Sequence, residues 1–177
     1  MRRFLPLAVL VLPLALTFCN DDNNNFVPVA NGNVNIQDDC DSTTFNAGLG
    51  AGTCTTAGGT TLGGFNSELT ASGKVAAWQF VPSELTITVG GVINAFNAGG
   101  EKHTFTEVAN FGGGSIPALN TLAGTPVEAP ECVTASANEL IAPGQTFTTD
   151  RETDVGVEHY QCCIHPWMRA NVTVVSR

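Results

Sequence analysis

Tyr160-Gln161-Cys162-Cys163-Ile164-His165-Pro166-Trp167-Met168 sets a thiol, an imidazole and a thioether three residues apart, and the reading of the chain turns on it. Thiolate and imidazole are good copper ligands, and two His with one Cys and a weak, long axial Met form the trigonal geometry of electron-transfer copper sites. A loop that supplies three such donors, Cys162, His165 and Met168, needs a second imidazole from elsewhere. The sequence holds only His103, His159 and His165, so the choice lies between the first two.

Strand periodicity decides between them. Val157 to Cys162 has strand spacing, with Tyr160 and Cys162 on one face and His159, Gln161 and Cys163 on the other. Pro166 ends that run, and Asn171 to Val175 makes a final strand. Upstream, Trp78 to Pro82, Leu85 to Val89, Val92 to Asn97 and His103 to Val108 are short and β-rich, punctuated by Gly90-Gly91 and Ala98-Gly99-Gly100. In the last of these His103, Phe105 and Glu107 share a face, and an inward Phe105 carries His103 inward with it. His159, facing away from Tyr160 and Cys162, reads as an exposed surface histidine. With a further strand at Thr146 to Thr149 the count is about seven, the signature of an all-β Greek-key β-sandwich. An irregular Gly/Pro/Ala-rich insertion, residues 109–144, precedes the last strands. It admits a helical turn or two at Ile116 to Leu122.

The chain starts with Met1-Arg2-Arg3 and an apolar run, Phe4 to Phe18, too short for a comfortable membrane span and containing Pro6 and Pro13. This is the pattern of an export signal over residues 1–19. Two processing routes fit it: lipidation at Cys19, with Leu16 at the expected upstream position and Phe18 where a small residue is usual, or ordinary cleavage near Ala15-Leu16-Thr17. Residues 20–73, rich in Asn, Asp, Gly and Thr, carry six acids and no base. Such a composition buries little apolar surface and is expected to be a flexible linker with a reach of roughly 40 Å. The globular domain is expected over residues 74–177.

Export delivers the chain to an oxidising compartment, where disulfides persist. Of six cysteines, Cys19 leaves with the signal or is lipidated and Cys162 goes to the metal. Cys40, Cys54, Cys132 and Cys163 remain for two bridges, with three pairings open. Cys40 with Cys54 is favoured because it closes a short loop, which puts Cys132 with Cys163 and ties the insertion to the metal loop. The net charge of −9 and the lack of a Lys/Arg cluster exclude nucleic acid as a partner. Three histidines are too few for the extra metal clusters of copper oxidases, so an enzyme is not expected.

On these residues the chain resembles the cupredoxins, the small blue-copper family that includes plastocyanin, amicyanin and pseudoazurin. The resemblance spans roughly Trp78 to Val175. Phe80-Val81-Pro82-Ser83-Glu84-Leu85-Thr86-Ile87 is similar to the early strand pair, and Cys162-x-x-His165-x-x-Met168 to the short amicyanin-like ligand loop. It implies one copper per chain with His103, Cys162 and His165 equatorial and Met168 axial, and one-electron transfer between redox partners. It also implies a monomer whose partner docks on an apolar rim near His165, Pro166 and Trp167. Thr104 stands where the family commonly has Asn, whose hydrogen bonds fix the two ligand segments; a hydroxyl can still bond there, but the surroundings of the metal are changed. Two other readings stay open: a copper-delivery protein holding Cu(I), and a structural module of the same fold.

Overall fold

A computed structural model describes residues 31–134 and 139–177. Two four-stranded mixed sheets pack face to face, with strand orders β2-β1-β4-β6 and β3-β8-β7-β5. The strands are β1 (Gly32–Gln37), β2 (Gln79–Val81), β3 (Glu84–Thr88), β4 (Ile93–Asn97), β5 (Thr106–Val108), β6 (Thr146–Thr148), β7 (Gly156–Gln161) and β8 (Arg169–Val175). Four short helices accompany them, α1 (Ser42–Leu49), α2 (Leu62–Ser72), α3 (Pro117–Leu122) and α4 (Pro130–Thr134).

The core follows from period-two alternation. In β8, Ala170, Val172 and Val174 are buried between half-buried neighbours, and in β4 Ile93 and Ala95 point the same way as Asn97. These residues meet Ile87, Phe80, Phe105 and Tyr160 in one cluster between the sheets. The Tyr160 ring stacks on Phe105 at 4.4 Å between centroids, and its hydroxyl donates to Glu152 Oε1 at 2.6 Å. Each β-strand expected from the sequence is present, but the one containing His103 is shorter than expected. Only Thr106–Val108 pairs with β7, while His103 itself joins Ile141 in an isolated bridge.

The expected linker is corrected by the structure over its described part. β1 lies inside the first sheet, parallel to β4 and antiparallel to β2, so the folded domain already includes Gly32 and does not start at Lys74. Gly32, Val34 and Ile36 are buried while Asn33 and Asn35 are exposed, a strand whose two apolar side chains are enough because both flanks are already paired. α1 and α2 are held by caps, with Asp41 accepting from the Thr44 N–H at 2.9 Å and Thr61 from the Gly64 N–H at 3.1 Å. Their Phe45 and Phe65 close on Trp78, with ring centroids 5.9 and 4.9 Å away. A Cys40–Cys54 disulfide ties β1 to the segment after α1. The expected export signal, with Cys19, lies outside the described residues.

The insertion packs onto β5 and β7. Cys132 of α4 is disulfide-bonded to Cys163, and with Val108 and Ala129 they make a second small buried cluster. α3 falls where a helical turn was expected. Gly112-Gly113-Gly114 lie against the end of β7: the Gln161 side chain accepts from Gly112 N–H, and Ser115 N–H donates to Cys163 O at 2.6 Å. A Cβ on Gly114 would collide with the Cys163 carbonyl, so only glycine permits this approach.

Candidate metal centre

Cys162 stands just past the end of β7 and Met168 just before β8. The chain between them is a tight loop, closed by Cys162 N–H to Met168 O at 3.0 Å and Met168 N–H to His165 O at 2.9 Å. Those two bonds turn the His165 ring back over Cys162. His103 arrives from the opposite side, fixed by a reciprocal backbone pair with Ile141 at 3.2 and 2.7 Å.

The donor atoms converge. Cys162 Sγ lies 3.7 Å from His103 Nδ1 and 3.9 Å from His165 Nδ1, and His103, Cys162 and His165 offer ligand atoms all within 4.8 Å of one another. Bonds of about 2.3 Å to sulfur and about 2.0 Å to nitrogen, opened by the roughly 120° of a trigonal plane, would set S and N about 3.7 Å apart. The two sulfur–nitrogen spacings therefore suit a trigonal metal site of one thiolate and two imidazoles. Cys162 is the free cysteine among the described residues, completely buried, and the other four there form two disulfides. Met168 is buried in the core beside this loop. His159 does not join the group; it is half-buried, its Nδ1 2.8 Å from Asn171 Oδ1 and its ring against Phe111.

Thr104 links the two ligand segments. Its hydroxyl accepts from Cys163 N–H at 2.8 Å, and its own N–H points at Cys162 Sγ at 3.5 Å. Burial alone would push the Cys162 thiol up, but hydrogen bonds from His103 and His165 hold it well below the ordinary thiol value. Thiolate is the form that binds metal.

Two carboxylates escaped the sequence reading. Burial opposes charge on His103, yet the Asp38 hydrogen bond and the Cys162 sulfur raise its pKa to about 9. Asp38 Oδ2 is 2.9 Å from His103 Nε2, with both side chains inaccessible. Burial raises the Asp38 carboxyl, but His103 and the backbone N–H groups of Glu101 and Gly100 bring it down to about 2. Glu101 accepts from the Trp78 indole N–H at 2.7 Å and stands 3.6 Å from His165 Nε2. Burial is the main cause of its raised pKa, against the lowering influence of His165 and Trp78. Asp38 was hidden because it sits in a polar stretch 65 residues from its partner. A Gly-Gly-Glu turn gave no signal for Glu101.

His165 is 4% exposed. Phe65, Trp78 and Trp167 surround its ring at centroid distances of 6.3, 6.5 and 5.5 Å. Pro166 is buried and Trp167 half-buried, with Phe65 of α2 against the Trp167 ring at 5.9 Å. A cavity of about 390 Å³ opens beside His165, walled by Phe45, Leu62, Phe65, Leu119 and Ile164.

No family model matches the sequence, and no curated protein does. Among solved structures the chain is similar to a novel purple cupredoxin from Nitrosopumilus maritimus, with 16% identity and a TM-score of 0.45 over 82% of this chain and 100% of that one. It is also similar to the reduced Cu(I) form of an amicyanin mutant, with 22% identity and a TM-score of 0.37 over 58% of this chain and 78% of that one. A third similarity is to oxidised plastocyanin from Dryopteris crassirhizoma, at 18% identity and a TM-score of 0.38 over 55% and 89%. Two mixed four-stranded sheets packed face to face, with a buried His-Cys-His group beside the turn from β7 into β8, make this a β-sandwich similar in fold to those proteins.

Proposed function

We propose that this protein is an exported one-electron carrier with one type 1 copper per chain, held by His103, Cys162 and His165 with Met168 as axial ligand. The observation that carries the proposal is the convergence of two imidazole Nδ1 atoms on one buried, unpaired cysteine sulfur. When bound, copper supplies the one-electron redox chemistry. The protein holds the donors from two sides, by the loop between β7 and β8 and by the His103–Ile141 bridge, and excludes water from them. His103 and Cys162 are fully inaccessible and His165 nearly so, an enclosure that suits an electron carrier, and we read the chain as a carrier and not as an enzyme.

Electrons would pass through the His165 side, where a redox protein docks near Pro166 and Trp167, over the neighbouring apolar cavity. Two disulfides support export to a periplasmic or cell-surface location. Attachment through a lipidated Cys19 is part of the same proposal; among the described residues no helix is long and apolar enough to cross a membrane. Adding Cu(II) to the purified protein should give an intense blue or purple colour that reversible reduction bleaches. His103→Ala should abolish the colour and His159→Ala should keep it. The reverse pattern would refute the ligand set, and colourless Cu(I) uptake would favour delivery over electron transfer.

A further inference from the structure

The histidine pair is backed by carboxylates on its far side. Asp38 accepts from His103 at 2.9 Å while three backbone N–H groups, those of Cys40, Gly100 and Glu101, donate to the same carboxylate at 3.2, 3.0 and 3.0 Å. Such a carboxylate has its lone pairs occupied and its position over-determined. It is carried by the segment right after β1 and pinned by the adjoining Cys40–Cys54 bridge. The glycines opposite are shaped to it: a Cβ on Gly99 would overlap Asp38 Oδ2, and one on Gly100 would press on Cys40 Sγ. None of this is needed to hold a strand in a sheet, and all of it aims one oxygen at Nε2 of a histidine whose Nδ1 faces Cys162.

We infer that Asp38 is a positioning residue of the metal centre, which accepts the hydrogen bond of the His103 Nε2–H, presents Nδ1 as the ligand atom and adds a buried negative charge that favours the more highly charged metal ion. The inference deepens the copper reading and rests on it for the second half only. A histidine that ligates through one nitrogen and donates through the other is fixed in ring orientation and made more basic. A carboxylate does this more strongly than a neutral acceptor, because the bond is charge-assisted. The uncompensated charge lies beyond the imidazole, where it opposes reduction of Cu(II) to Cu(I). Glu101 stands in the equivalent place behind His165, at the longer distance of 3.6 Å.

Nuclear magnetic resonance of the metal-free full chain tests the first half. His103 should show a downfield, slowly exchanging Nε2–H proton, and Asp38→Asn should lose it. Copper titration and voltammetry test the second. Asp38→Asn should bind copper about 10–100-fold more weakly and show a higher reduction potential, a readout that a merely structural role would not move. Gly99→Ala, which displaces the carboxylate without removing it, should change affinity and potential in the same direction and serves where Asp38→Asn does not fold. Fast exchange of the His103 Nε2 proton in the unaltered chain would overturn the inference. So would unchanged affinity and potential in both variants. A protected proton in a chain that takes up no copper would sink the copper reading while upholding the Asp38–His103 pairing.

Discussion

Thr104 shows how much one hydroxyl can organise. It accepts from Cys163 N–H and from the Thr106 hydroxyl, and so couples the His103 segment to the ligand loop from a buried position. Thr104→Val keeps the shape and removes the acceptor, which leaves a buried N–H unsatisfied. Denaturant unfolding should show a loss of about 1–3 kcal/mol, and the visible band of the copper form should shift because the Cys162 neighbourhood relaxes. Glu107 is a residue of the opposite kind. Partial burial and the neighbouring Glu158 carboxyl raise its pKa in the fold. A carboxyl whose folded pKa exceeds its unfolded value contributes stability below the unfolded pKa, and that contribution is lost as pH rises through the folded one. At pH 7 Glu107 therefore destabilises, and Glu107→Gln should raise the melting temperature there. The group is exposed, so screening limits the gain to a few tenths of a kcal/mol. Near pH 4 the difference should vanish, and a gain that persists at acid pH would refute the charge argument.

Among the elements, the loop between β7 and β8 was legible from sequence because its candidate donors are local. Cys162, His165 and Met168 announce themselves by spacing, and Pro166 marks where the strand must end. His103 could be chosen over His159 by strand parity alone, since Phe105 two residues on had to point inward. β1 was not legible for the opposite reason. Gly-Asn-Val-Asn-Ile-Gln offers two apolar side chains in a polar stretch, and what makes it a strand is pairing with β2 and β4, far along the chain. α2 was missed similarly: its Phe65 and Leu69 are buried, but only against Trp78 and its surroundings. The insertion was only half readable. Cys132 predicted its tether, and nothing in the sequence indicated that Gln161, expected on the outward face, would be fully buried and would bind the glycine run. Replacing Cys132 and Cys163 together by Ser should cost about 2–4 kcal/mol in denaturant unfolding. It should also raise amide exchange in α4 and Gly112–Gly114 more than in β3 or β4; uniform loosening would show that the bridge supports the whole sandwich and not the insertion.

The whole molecule is a sandwich whose first sheet is completed by its earliest described strand. A chain beginning at Lys74 retains every proposed copper ligand yet lacks the strand between β2 and β4, the Cys40–Cys54 bridge and Asp38. Circular dichroism of that chain should show no cooperative melting transition. A folded, copper-binding fragment would instead vindicate the boundary that composition suggested. The same arrangement has a kinetic side. β1 runs parallel to β4, with Gly32 opposite Ile93, and β3 runs parallel to β8, with Glu84 opposite Asn171. The second sheet has the β7–β8 hairpin at its centre, but the first has none, and both must wait for segments distant in the chain to meet, which places folding in the slow, high-contact-order regime of milliseconds to seconds. During that delay Cys162 is one thiol among several, and the two structural bridges have to find their partners around it. The order of events matters: until β1 docks and brings Asp38 against His103, the pocket that shelters the odd sulfur from oxidative mispairing does not exist.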